Sequence, residues 1–236
     1  DGIYKDGGFN GHLALDDENA TVRIDGAFNT SHKVSDINLH ASVRNFRPHE
    51  LNLSDKYKDS DISLNLMANF TGSSIDDVNG YVLLDSLVMN APDNGSCHLD
   101  SLQITAETVG GEKEIRIISP FMKASLSGRY AYNTIPASIL RIARHYIPSL
   151  VTLDNRRYTH LDNNFKFNVW VDNTEVLQKL FFIPLDVKIP ASLGGYVSDS
   201  EGRLRIEGTF PSLIYDGTQY ESGTLLCENP DESMNC

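Results

Sequence analysis

Ile37-Asn38-Leu39-His40-Ala41-Ser42-Val43-Arg44 alternates apolar and polar side chains without a break. Successive side chains on a β-strand point to opposite faces, so this stretch reads as a strand with one apolar and one polar face. The same period of two returns along the chain. Ile62, Leu64, Leu66 and Ala68 alternate with Ser63, Asn65, Met67 and Asn69, and Phe165, Phe167, Val169 and Val171 alternate with Lys166, Asn168, Trp170 and Asp172. Shorter runs at Leu102–Ala106, Leu185–Ile189 and Leu204–Ile206 follow the same rule. Such strands belong to antiparallel sheet with one face toward water.

Turn residues separate the runs: Asp93-Asn94-Gly95-Ser96, Gly110-Gly111, Gly194-Gly195 and Ser198 through Gly202. No βα rhythm is present, which argues against a parallel α/β fold. Two short helices are predicted. Ile139, Ile142, Ala143, Tyr146 and Ile147 form one apolar stripe between Pro136, suited to a first turn, and Pro148, a stop. A second helix is expected from about Thr174 to Phe182, with Pro184 beyond it. The expected fold is therefore mainly β, either an antiparallel curled, trough-like sheet or a sandwich, with two short helices. A β-sheet segment is assigned to residues 1–130, a β segment with the helices to 131–227, and a polar tail to 228–236.

The 236 residues carry 20 basic and 32 acidic side chains, a net charge of −12. That balance disfavours nucleic acid and docking onto anionic lipid headgroups, but not contact with acyl chains, which depends on apolar area. No apolar run approaches the roughly 18 residues of a membrane-spanning helix. The chain starts at Asp1 and is expected to be an excised piece of a longer protein.

Catalytic patterns are missing. There is no nucleophile elbow, no zinc-binding His-Glu-x-x-His and no phosphate-binding glycine loop. The histidines, His12, His32, His40, His49, His98, His145 and His160, show no zinc-ligand spacing, and His40 occupies a polar strand position. Asp16-Asp17 and Asp76-Asp77 lack the calcium-loop pattern, and Asp76-Asp77 reads as a turn. No enzyme activity, catalytic residue, metal or cofactor is assigned. Cys97, Cys227 and Cys236 form no framework; Cys227 and Cys236 could close a tail loop, or two or three of the cysteines could be free thiols. Trp170, opposite Phe165, Phe167 and Val169, is either covered by protein or exposed as a stacking surface for sugar.

An apolar-x-Gly-x-aromatic pattern recurs in Ile24-Asp25-Gly26-Ala27-Phe28, Leu126-Ser127-Gly128-Arg129-Tyr130 and Ile206-Glu207-Gly208-Thr209-Phe210, at unequal intervals. Together with Tyr4-Lys5-Asp6-Gly7-Gly8, Leu13-Ala14-Leu15-Asp16-Asp17-Glu18-Asn19, Asn90-Ala91-Pro92, Leu99-Asp100-Ser101-Leu102-Gln103-Ile104 and Gly208-Thr209-Phe210-Pro211-Ser212-Leu213, these segments resemble the TamB/AsmA-like family of large bacterial envelope proteins. The resemblance implies an internal stretch of a periplasmic, bridge-like protein anchored in the inner membrane. It implies phospholipid transport or outer-membrane biogenesis, with lipid acyl chains or unfolded β-strands of outer-membrane proteins as cargo and the outer-membrane assembly machinery as partner. Leu39, Val43, Leu64, Leu66, Phe165, Phe167 and Val169 are then the groove candidates. The alternatives are a β-sandwich binding carbohydrate or protein, and a purely structural spacer.

Overall fold

The computed structural model describes residues 1–5, 7–29, 35–92, 95–146 and 162–229. Among them fourteen strands form one antiparallel sheet that does not close into a barrel. In chain order they are β1 (Gly2–Lys5), β2 (Gly8–Asp17), β3 (Ala20–Asn29), β4 (Ser35–Phe46), β5 (Asp61–Gly72), β6 (Asn79–Asn90), β7 (Cys97–Val109), β8 (Glu112–Ile118), β9 (Met122–Arg129), β10 (Asn164–Val171), β11 (Leu185–Val187), β12 (Ala191–Ser198), β13 (Arg203–Tyr215) and β14 (Thr218–Glu228). Helices α1 (Ile135–Tyr146) and α2 (Glu175–Phe181) complete the regular structure.

The sheet is a meander. From β1 to β10 each strand pairs with its neighbours in sequence; β12 then pairs β10, β13 pairs β12, and β11 and β14 both pair β13. β9 and β10 pair residue for residue from Met122↔Val171 to Arg129↔Asn164, so the sheet runs on past residue 130. A single sheet replaces the sandwich alternative. Alternation within a strand is the same in both architectures, and only the pairing order separates them.

The predicted helices form within a residue or two of their expected bounds. Pro136 lies in the first turn of α1, where its missing N–H costs nothing. α2 ends as Phe182 turns left-handed (φ 55°) and donates its N–H to the Gln178 carbonyl at 2.9 Å, a C-terminal cap. Asp76 and Asp77 lie in a short helical turn closed by a capping box, in which the Ser74 hydroxyl accepts from the backbone and the Asp77 carboxylate reaches back to the Ser74 N–H.

Candidate functional site

Register decides what the two faces carry. Following the paired residues, Leu39 faces Ala68, Ala68 faces Val82, Val82 faces Ile104, and Ile104 faces Ile117. Ile117 faces Ala124, Ala124 faces Val169, Val169 faces Leu193, Leu193 faces Gly208, and Gly208 faces Leu225. In the other direction Leu39 faces Gly26, then Gly11, then Gly2. The row crosses every strand except β11, and no member is polar. The adjacent same-face row is also apolar, aromatic or glycine from Phe9 and Phe28 through Ile37, Phe70, Ile115 and Leu126 to Phe167 and Ile206.

The seven groove candidates, from strands β4, β5 and β10, therefore share one face. Leu39 and Val169 are members of one row, Val43 faces Leu64, Leu66 faces Ala41, and Phe167 faces Leu126. Six are half-buried. Phe165 is buried, 5% exposed. Two of the three glycine echoes, those on β3 and β13, place their apolar, glycine and aromatic members wholly on this face. In the third, Leu126 and Gly128 lie on it and Tyr130 follows the end of β9.

Two patches of the face are roofed by helix. Val176 and Leu180 of α2 pack with Leu87, Met89, Leu99 and Phe121, and half-buried Leu64 borders this cluster. Ile142 of α1 packs with Tyr130, Phe165, Val197 and Leu204, with Phe167 at the margin. Away from the helices the face is open. Leu13 and Leu15 of β2 are 52% and 46% exposed, and Phe28 of β3 is 41% exposed. Burying one Leu-sized side chain is worth about 1.5–3 kcal/mol, so a row of them facing water is a strong drive toward any apolar cover.

A lysine intrudes, and sequence reasoning missed it. Lys113 shares the face with Gly128 and Phe165. Its Nζ pairs with Asp76 Oδ1 at 2.9 Å and lies 5.2 and 5.4 Å from the ring centroids of Tyr130 and Tyr132. Asp76 also accepts the Tyr132 N–H at 3.0 Å. Partial burial pushes the Asp76 carboxyl up, but the Lys113 and Tyr132 hydrogen bonds outweigh it and hold the group below its ordinary value. The pair satisfies a lysine that otherwise would be desolvated alone. Nothing in the sequence links positions 37 residues apart.

The opposite face is polar along β4, where Asn38 and His40 are exposed, and Trp170 is 47% exposed there. Both helices roof the other face, so they do not cover the indole. His12 Nδ1 and Asp25 Oδ1 meet at 2.8 Å on this face. Among the described residues no group of three His, Cys, Asp or Glu side chains is arranged to hold a metal, and no helix is long and apolar enough to cross a membrane. Cys97 is a buried free thiol whose pKa is raised by desolvation, and Cys227 is disulfide-bonded. His32, His160, Cys236, Pro148 and the tail from residue 230 lie outside the described residues, as does the side chain of His145.

No known protein family, curated protein or solved structure matches the chain.

Proposed function

We propose that this chain is an internal segment of a periplasm-spanning, TamB/AsmA-like envelope protein, anchored elsewhere to the inner membrane, and that its open apolar face carries lipid acyl chains. One observation carries the reading: the row from Gly2 through Leu39, Ala68, Ile104 and Val169 to Leu225, which crosses thirteen strands with no polar side chain. At about 4.8 Å per strand such a row extends about 58 Å along the sheet, against roughly 15 Å for one leaflet of hydrocarbon. Several acyl chains fit in succession. A surface without headgroup-specific contacts lets them slide, and the net charge of −12 disfavours retention of anionic headgroups. In this reading the unroofed β2–β4 region is the loading surface and α1 and α2 close the parts of the face that are not used. Unfolded β-strands of outer-membrane proteins are the second cargo, handed to the outer-membrane assembly machinery.

Purified chain, extracted with organic solvent and analysed by mass spectrometry, is expected to release phospholipid above the level of an unrelated protein prepared alongside. A Leu39→Asp, Leu66→Asp double variant is expected to release at most a tenth as much. Wild-type protein without phospholipid above background would overturn the reading and leave a structural spacer.

A further inference from the structure

We propose a second ligand site on the polar face, an aromatic furrow at Trp170 that binds an acidic saccharide. It is independent of the apolar face and stands whether or not that face carries lipid.

A hollow of about 730 Å³ crosses β8, β9, β10, β12, β13 and β14, within the size range of ordinary small-ligand sites. Six strands at about 4.8 Å spacing make it roughly 24 Å long, an elongated shape that suits a chain of rings. Its walls are two neighbouring rows of polar-face side chains. One contains Ile118, Lys123 and Trp170, and the other contains Arg116, Asn168 and Leu226, so the walls mix aliphatic, aromatic and polar groups. Gly194 stands opposite Asn168 in the second row, and its missing Cβ makes room for the Asn168 amide, whose Oδ1 would lie 2.8 Å from a Cβ there.

Trp170 is the only tryptophan of the chain. Its indole N–H donates to Asp172 Oδ1 at 3.0 Å, which fixes the edge of the ring, and the residue is half exposed. A flat apolar ring rimmed by hydrogen-bonding groups fits a pyranose, whose C–H face lies on the indole while its hydroxyls turn to the rim. Asn168 faces Ser125 beside it, supplying amide and hydroxyl groups for those hydroxyls. A purely aliphatic ligand would desolvate these groups without replacing their hydrogen bonds, which is costly.

Charge selects the class of sugar. The hollow is lined by Arg116, Lys123 and Arg205 and by Glu207, with the Asp172 carboxylate at the edge of the indole, so the selecting charge is the one cation not already paired. Arg116 is held by Glu114, and Arg205 by Glu207 and Glu228. Lys123 stands directly opposite Trp170 in the β9–β10 register and has no ion pair among the described residues. A uronate seated on the indole brings its carboxylate to this ammonium, a charge-assisted contact.

Because Trp170 is the sole indole, its emission reports occupancy directly. Hexagalacturonate is expected to shift the emission to shorter wavelength and to bind at least tenfold more tightly than neutral cellohexaose or polyglutamate of equal charge. By calorimetry, Trp170→Ala and Lys123→Gln are each expected to lose at least tenfold in affinity, with Trp170→Phe losing less than the alanine variant. Lys123 is exposed, so its variant carries the test even where Trp170→Ala fails to fold. No binding of hexagalacturonate, equal binding of cellohexaose or of polyglutamate, or unchanged affinity in Lys123→Gln would each overturn the proposal.

Discussion

Arg141 of α1 donates from Nη2 to Oδ1 of Asp199 at 2.6 Å, and the Asp199 side chain is 0% exposed. The other carboxylate oxygen accepts the Ser138 hydroxyl at 2.6 Å and the Asn163 N–H at 2.9 Å. Asn163 in turn donates to the Ser138 and Thr134 hydroxyls, and its Oδ1 accepts the Ala131 N–H. One buried carboxylate thus ties α1 to the chain just before β10 and just after β12, and so fixes which part of the apolar face is roofed.

Asp199→Ala is expected to cost about 2–3 kcal/mol, because it strands the Ser138 and Asn163 donors in the interior while Arg141 can turn to water. Urea unfolding measures it. Exposure of the face beneath α1 is expected to raise binding of an apolar dye in the same variant.

Gly128 has φ +133°, a backbone conformation that side chains with a Cβ rarely adopt, and its partner strand comes so close that a Cβ would overlap the Asn164 carbonyl. Gly128→Val is expected to destabilise the sheet by more than about 2 kcal/mol through strain and lost pairing. Thermal unfolding compared with Ser127→Val, on the opposite face of the same strand, isolates the effect.

Much of this was legible beforehand. Alternation alone put Leu39, Val43, Leu64, Leu66, Phe165, Phe167 and Val169 on apolar faces, and the pairing joins those faces into one. Alternation could not tell one fourteen-strand sheet from two packed sheets, since Phe167 and Lys166 alternate identically in either. It also could not place the bulges that offset Val43 from Phe46 and Ser63 from Asn65 against their partners. The Asp199–Asn163 lock and the Lys113–Asp76 pair join residues 36 and 37 positions apart with no local pattern. The exposure of Trp170 follows from which face the helices cover, and that is a tertiary fact.

Asp77 supplies a pH dependence. The Ser73 hydroxyl, then the Ser74 and Ser73 N–H groups, hold its carboxyl down from 3.8 to about 2. A group whose pKa is depressed by folding stabilises the fold above its unfolded value and loses that contribution as pH falls through the folded one. The stability difference between the wild type and Asp77→Asn is therefore expected to be constant above about pH 5 and to shrink between about pH 4 and pH 2. Acid titration of both proteins, followed by circular dichroism, checks it.

Leu39 and His40 are adjacent in sequence and point to opposite faces, which makes them the sharpest probes of where cargo lies. A photo-crosslinking side chain placed at each in turn, irradiated in cells, should capture phospholipid from position 39 and none above background from position 40. Equal capture at both positions, or capture at neither, would contradict an apolar face that carries acyl chains.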